Sequence, residues 1–483
     1  MTSTTTQISG SIRPPAPQQP LPTPPTPKAG LVSQQHASWP RLLAGVAVWL
    51  SLLIVTALWV KGGGLAPAAG LGDAANRLGR LTGLLASDLL LIQVLLIARV
   101  PLVERAFGQD QLVRMHRSVG TGSFVLMVTH LILIVIGYAE AAPARLWSTF
   151  LDMTLSMPGM LLALAGFACL VMVVVTSLTR LRPRLRYESW HLLHLYAYLG
   201  CFLALPHQLW TGTDFLSSPV ATAYWWTLWA AAALSVIAFR VVLPVLRNRR
   251  HALVVEQVTP AGGNVTTVAV TGRELGRLPA LPGQFFVWRF LDGPGWTRGH
   301  PYSLSAAPDG QRLEISVAAL GDGSARVAQL RPGTKVLIEG PYGRMHTGVA
   351  TREQVVCIAA GIGIGPMKAL LDGLDRPAGA ITVIYRTRDR HDAPLLATLT
   401  QLASDRGARL ILLDGPRQIG RTSWLPRGWE HVSDPAALRY LVPEVSNSDV
   451  FVCGNPVWMA SVEAALADAA VPADQIHLER FDF

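Results

Sequence analysis

Between residues 40 and 246 the sequence holds six long apolar segments, approximately 41–60, 81–100, 117–138, 158–178, 188–209 and 222–246. Each is near the ~20 residues a helix needs to cross a hydrocarbon core. Nothing else constrains the fold as much. In lipid every backbone polar group must find a partner inside the chain, so a bundle of membrane-crossing helices is expected. The balance of residue types agrees: 50% are hydrophobic and only 15% charged, against about 25% charged in ordinary soluble domains. The formal charge is +10, but the basic residues cluster beside the apolar runs, which is how membrane proteins mark their inner face. No nucleic-acid motif accompanies the charge.

Arg105, Arg114 and Arg117 lie between the second and third segments, Arg180, Arg182, Arg184 and Arg186 between the fourth and fifth, and Arg247, Arg249 and Arg250 after the sixth. The fifth-to-sixth connection has no Lys or Arg, and the third-to-fourth only Arg145; Lys61 and Arg77 run against the pattern. The even-numbered connections and both termini are therefore expected on the cytoplasmic side of a multi-pass plasma-membrane protein. Residues 1–39 are rich in Pro, Thr, Gln and Ser without an apolar core, so a disordered cytoplasmic tail is expected there and not a signal peptide. Docking of its prolines on a protein partner is the alternative use.

The histidines inside these segments carry the chemistry. His116 and His130 are 14 residues apart in the third segment, on nearly one side of a helix and ~21 Å apart along it. His194 and His207 are 13 apart in the fifth, ~19–20 Å of rise. Both segments run the same way, so His116 pairs in depth with His194 near the cytoplasmic face, and His130 with His207 near the outer face. Two levels of paired imidazoles suit two six-coordinate haem irons. Hydrogen-bonded polar residues in a bundle, or a proton relay, are the competing uses. The 13-residue spacing leaves His194 and His207 ~140° apart in azimuth on an ideal helix, which a kink at Pro206 would have to correct. The second segment also carries Asp88 in its middle. Cys169, Cys201, Cys357 and Cys453 are scattered, which argues against a disulfide framework, a zinc site or an iron–sulfur cluster.

From about residue 251 the texture changes. Period-two stretches such as Thr266–Thr271 and Arg312–Val317 predict a small antiparallel β-barrel over 251–349. Over 350–483 strands alternate with helical patterns, which predicts a parallel sheet with βαβ connections. Within it, Gly361-Ile362-Gly363-Ile364-Gly365-Pro366 follows an apolar strand and opens a helix, the context in which backbone N–H groups hold dinucleotide phosphates.

Tyr187-Glu188-Ser189-Trp190-His191-Leu192-Leu193-His194 resembles the start of the second haem-binding helix of the ferric reductase-like transmembrane family, which includes NADPH oxidases and ferric reductases. His300-Pro301-Tyr302-Ser303-Leu304-Ser305 resembles the flavin motif of ferredoxin–NADP reductase-type dehydrogenases, and Gly321-Asp322-Gly323-Ser324 their second phosphate segment. The resemblance covers about 40–483. It implies a six-helix transmembrane haem-binding bundle, then an antiparallel β-barrel FAD-binding domain and an α/β nucleotide-binding domain with a parallel sheet. It implies FAD, two haem b and NADPH or NADH as cofactors, with His116, His130, His194 and His207 as iron ligands.

In that frame Tyr302 faces the isoalloxazine, Ser303 hydrogen-bonds flavin N5, and His300 stands near the FAD phosphates. Cys453-Gly454 borders the nicotinamide, where a plain buried Cys is the alternative. Phe483 covers the flavin until nicotinamide displaces it. Arg386 and Arg388 stand where the adenosine ribose would lie, where an Arg favours a 2′-phosphate and so NADPH; solvated surface arginines are the alternative. The implied activity is electron transfer from cytoplasmic NAD(P)H to an external acceptor, either oxygen or a ferric or cupric ion. A haem-free membrane-anchored flavin reductase and a nucleotide-sensing membrane transporter stay open at this point.

Overall fold

The computed structural model describes residues 39–178, 187–293 and 295–479. The Pro-rich tail before Trp39, the basic stretch 180–186 and Phe483 lie outside the described residues. The described residues divide into two compact units, one up to Leu243 and the other from Pro244 onward.

The first unit is helical: α1 (Trp39–Lys61), α2 (Leu71–Ile97), α3 (Pro101–Phe107), α4 (Gln109–Tyr138), α5 (Leu146–Ser156), α6 (Met160–Ser177), α7 (Tyr187–Trp210) and α8 (Pro219–Val236). Among the described residues five stretches are long and apolar enough to cross a membrane: Arg41–Lys61, Leu71–Ile97, Gln111–Tyr138, Met160–Ser177 and Pro219–His251. The expected fifth segment is the 24-residue α7, which is not among the five. Its histidines, Gln208 and Pro206 dilute its apolar content. The short α3 and α5 were not foreseen, because neither is long enough to show a period against its apolar surroundings.

Two antiparallel helix pairs organise this unit, α2 with α4 and α6 with α7. Along the first pair, side chains of α4 bond to carbonyls of α2 at a constant step of seven residues. His116 Nδ1 meets the Gln93 carbonyl at 3.1 Å, Ser123 Oγ the Ala86 carbonyl at 3.0 Å, and His130 Nδ1 the Gly79 carbonyl at 2.8 Å. Seven residues return a helix almost to the same face, so one stripe of each helix makes every contact. In the second pair Gly166 and Gly200 face each other, and a Cβ on Gly166 would stand 2.7 Å from the Gly200 carbonyl oxygen. Small residues let the backbones approach in this way.

The second unit begins with α9 (Leu243–His251) and holds two three-stranded antiparallel sheets. One has the order β1 (Val254–Pro260), β2 (Val265–Thr271), β5 (Arg312–Ala318); the other β4 (His300–Ser303), β3 (Phe285–Phe290), β6 (Val336–Tyr342). They share one core in which Val268, Val270, Phe286, Trp288, Ile315 and Ile338 are buried. The expected barrel is not closed by continuous ladders. Single bridges, Val254–Lys335 and Leu304–Ile315, join the sheets, and register shifts in β1 and β3 break the pairing. Such irregularities bend strands and end ladders.

The remainder is a five-stranded parallel sheet. Its order is β11 (Ile476–Leu478), β10 (Asp449–Cys453), β7 (Val355–Ala360), β8 (Ile381–Thr387), β9 (Arg409–Asp414). Alternate residues of β7 serve opposite cores. Val356 and Ile358 pack with α13 (Asp434–Leu441) and α14 (Pro456–Asp468), while Val355, Cys357 and Ala359 pack with α11 (Ile364–Gly373) and α12 (Leu396–Asp405). Helices on both faces explain why these strands read as unbroken apolar runs.

Candidate functional site

Two of the four membrane histidines stand ring to ring, and the other two line one cavity. At one level the rings of His116 (α4) and His194 (α7) have centroids 6.0 Å apart with planes tilted by 59°. Two imidazoles ligating one ion at ~2 Å each place their ring centres roughly 6 Å apart. At the other level His130 (α4) and His207 (α7) both line a cavity of about 260 Å³. Gly83 of α2 also lines it, and a Cβ there would stand 2.5 Å from the His130 ring. Glycine is therefore required beneath that imidazole. His207 faces the cavity although it is 13 residues from His194, with Pro206 lying inside α7.

The hydrogen bonds of these rings settle their tautomers. A carbonyl only accepts, so His116 and His130 must carry their proton on Nδ1, toward Gln93 and Gly79. Nε2 is then left with a lone pair, the form that ligates metal. His194 Nδ1 lies 3.3 Å from Ser177 Oγ, which also accepts from Trp190 Nε1 at 3.2 Å. His207 Nδ1 is buried and makes no hydrogen bond of normal geometry. Among the described residues no group of three or more His, Cys, Asp or Glu could hold a bare ion. The donor sets are pairs, and a pair is what a macrocycle with four nitrogens of its own requires. The residues present thus fit a haem at each level. His191, one residue past Trp190, joins neither pair.

Gln93, Gly79, Gly83, Ser177 and the Arg80–Asp214 ion pair at the cavity wall were not foreseen. A signal for Gln93 and Gly79 existed: Gly72, Gly79, Ala86 and Gln93 recur every seven residues in α2.

The flavin motif forms β4, paired with β3 so that Trp288 Nε1 donates to the Tyr302 carbonyl at 3.0 Å. Tyr302 stacks near His300, centroids 5.9 Å apart, and burial pushes its hydroxyl above the ordinary phenol range. Ser303 Oγ is buried and has no hydrogen-bond partner among the described residues. An orphan hydroxyl beside an aromatic face suits a ring nitrogen acceptor such as flavin N5. Pro301 lies between them in the same strand, opposite Val287. A Cβ on Gly323 would stand 2.5 Å from the His300 ring, so the short α10 (Asp322–Ala325) and the histidine form one surface. Ser324 departs from expectation. Its hydroxyl accepts from Leu320 and Gly321 N–H and donates to the Gly321 carbonyl, so it holds its own turn instead of standing ready for a phosphate.

The glycine-rich turn at 361–365 follows β7 as expected and leads into α11, with Pro366 buried in its first turn. A Cβ on Gly363 would stand 2.3 Å from the Cys453 carbonyl oxygen, so this turn and the Cys453-Gly454 end of β10 touch backbone to backbone. Gly365 lies in ordinary contact with Ser305, two residues beyond Ser303, which brings the nucleotide turn to the flavin strand. Burial, helped by Glu479, pushes the Cys453 thiol up, so it is neutral at physiological pH.

Arg386 must be corrected. It is only 6% exposed, and its guanidinium donates to the Thr387, Leu413 and Pro416 carbonyls, binding the ends of β8 and β9 together. Burial and the nearby Arg417 and Arg388 lower it to about 10, against the pull of Asp414. It stays protonated, but three of its five N–H donors are held by these carbonyls. The guanidinium groups exposed just beyond β8 are those of Arg388 and Arg390.

Comparison with known proteins fits this geometry. Residues 82–205 match the family described as the ferric reductase like transmembrane component. The 3-ketosteroid-9-alpha-monooxygenase ferredoxin reductase component of Mycolicibacterium smegmatis is 29% identical over 235 residues, covering 47% of this chain and 63% of that protein. The ferredoxin–NAD(+) reductase component of the alkene monooxygenase system of Xanthobacter autotrophicus is 32% identical over 219 residues, 43% of this chain and 63% of that one. Ferredoxin–NADP reductase B of Sorangium cellulosum is 28% identical over 198 residues, 39% of this chain and 80% of the other. The chain thus spans about three-fifths of the length of the first two. The chain thus holds a stretch that matches the ferric reductase like transmembrane component, followed by a portion similar to ferredoxin reductases.

Proposed function

We propose that the chain carries electrons from NAD(P)H, by way of FAD and two haem b groups, across a membrane to an external acceptor. The observation that carries this reading is the pairing of imidazoles at two depths, with His116 and His130 protonated on Nδ1 and so offering Nε2 outward. His116 and His194 would hold one haem, His130 and His207 the other. FAD accepts hydride and releases single electrons, and haem iron relays single electrons.

The protein's own part is positioning. Ser303 offers a hydroxyl toward the flavin ring nitrogen, and the Tyr302 ring covers the flavin face. The Gly363 turn holds the dinucleotide phosphates at the start of α11, and Cys453 stands as a neutral thiol beside the nicotinamide. Arg388 is the residue we assign to a 2′-phosphate, favouring NADPH over NADH. α7 is counted as the sixth span, with the reductase-like domain on the cytoplasmic side of the plasma membrane. The acceptor class comprises molecular oxygen, which would make the chain an NADPH oxidase, and ferric or cupric ions, which would make it a metal reductase.

The test is an anaerobic absorption spectrum of the purified, FAD-supplemented chain before and after NADPH. A bis-imidazole haem spectrum at two haems per chain that turns to the reduced form with NADPH supports the whole path. A haem-free chain that still reduces FAD would leave a membrane-anchored flavin reductase.

A further inference from the structure

Asp88 is fully buried in α2, and nothing in the proposed path uses it. Its Oδ1 accepts the Ser51 hydroxyl of α1 at 2.8 Å and the Tyr224 hydroxyl of α8 at 2.5 Å, while the two hydroxyls stand 2.7 Å from each other. Its Oδ2 is buried without a hydrogen-bond partner among the described residues. Val55, Leu84 and Trp225 form the apolar cluster of the same three helices.

The same α2 supplies the carbonyls that hold the two histidine levels. Gln93 lies five residues beyond Asp88, ~7.5 Å along the axis, and Gly79 nine residues before it, ~13.5 Å. The carboxyl therefore sits at a depth between the levels, on another face of the helix.

Its surroundings divide between two forms. Two hydroxyl donors on one oxygen match a carboxylate, and a bare second oxygen in an apolar cluster matches the acid. A nearby change of charge is then decisive. Tyr224 is the one other titratable group on it. Arg41 and Lys61 lie near the ends of α1, Asp73, Arg77 and Arg80 lie eight or more residues before it in α2, and α8 carries no charged residue. A unit charge arriving ~10 Å away at an effective dielectric of ~20 shifts a protonation equilibrium by about tenfold.

We propose that Asp88 takes up a proton from water when an electron reaches the histidine levels and releases it when the electron leaves, so that electron passage is coupled to a proton. One O–H bond forms as one electron arrives, and breaks as it departs. The proposal rests on the electron-transfer reading above. The experiment is a spectroelectrochemical titration of the haem bands of the full-length chain in detergent, across a range of pH around neutrality. In the wild type the midpoint of at least one haem should fall as pH rises. Asp88→Asn, which keeps an oxygen for Ser51 and Tyr224, should flatten that slope. Tyr224→Phe, which removes one donor to the anion, should move the slope to higher pH and keeps the test open if Asp88→Asn misfolds. A pH-independent wild type, or an unchanged slope in Asp88→Asn, overturns the proposal while leaving the electron path standing. A chain without haem bands defeats both.

Discussion

The two units build sites by opposite means. In the helical unit four imidazoles stand in an apolar interior, and their environment is set by which helix lies beside which. In the sheet unit the candidate residues stand at strand ends and turns, close to one another in sequence, and much of the site is backbone. Chemistry written in short motifs survives almost any reading of the chain around it. Chemistry written in helix packing is visible only once the helices are paired.

The sharpest way to break this contrast is to remove one imidazole. His116→Ala or His130→Ala should each lower haem absorbance per chain by about half while FAD content and FAD reduction by NADPH persist; loss of both bands from either change would mean that the levels are not separate sites. Next in size, Gly83→Val forces side-chain atoms into the His130 ring and should selectively remove one of the two haems, read as a loss of one midpoint potential. Gly363→Ala is its counterpart in the other unit: the added methyl meets the Cys453 carbonyl, so FAD should be retained while reduction by NADPH falls by roughly a hundredfold or more, measured by stopped flow.

Smaller effects separate the side chains. Ser303→Ala should slow flavin reduction by about tenfold to a hundredfold, the scale of one lost positioned hydrogen bond, with little change in the KM for NADPH. Arg388→Ala should raise the KM for NADPH by about tenfold and leave NADH untouched, whereas Arg386→Ala should lower thermal stability instead, because its partners are carbonyls.

The smallest effect is on pH. Burial works against ionisation of Asp449, yet hydrogen bonds from His477 and the Arg352 and Thr351 N–H groups outweigh it and hold its carboxyl below the ordinary range. Such a group stabilises the folded state above an unfolded pKa near ~4, and that contribution is lost as pH falls below it. Asp449→Asn should remove this acid sensitivity in a thermal melt of the sheet unit.

How far each unit could be read ahead of its structure follows the same division. The glycine run was expected between an apolar strand and a helix, and it lies between β7 and α11. Strand runs and turn glycines are local signals, and local signals are what a sequence displays. Arg386 misled because position after a strand does not reveal which way a long side chain turns. Helical rise alone suggests which histidines share a depth. The part of Ser177 was not legible, because packing decides which hydroxyl reaches the His194 ring, and the seven-residue spacing of Gly79, Ala86 and Gln93 marks one face of α2 without showing which helix it meets.

The seven-residue step shared by α2 and α4 has one more consequence. The carbonyls of Gly79, Ala86 and Gln93 and the side chains of His130, Ser123 and His116 mesh like the teeth of two racks. Inserting one residue between His116 and His130 would turn one tooth by ~100° and unseat every engagement beyond it. A length change that keeps the mesh must come in sevens and in both helices together, and it would add or remove a whole tooth ~10.5 Å long. The distance between the two histidine levels is therefore held as a whole number of steps, and the chain has no means of adjusting it gradually.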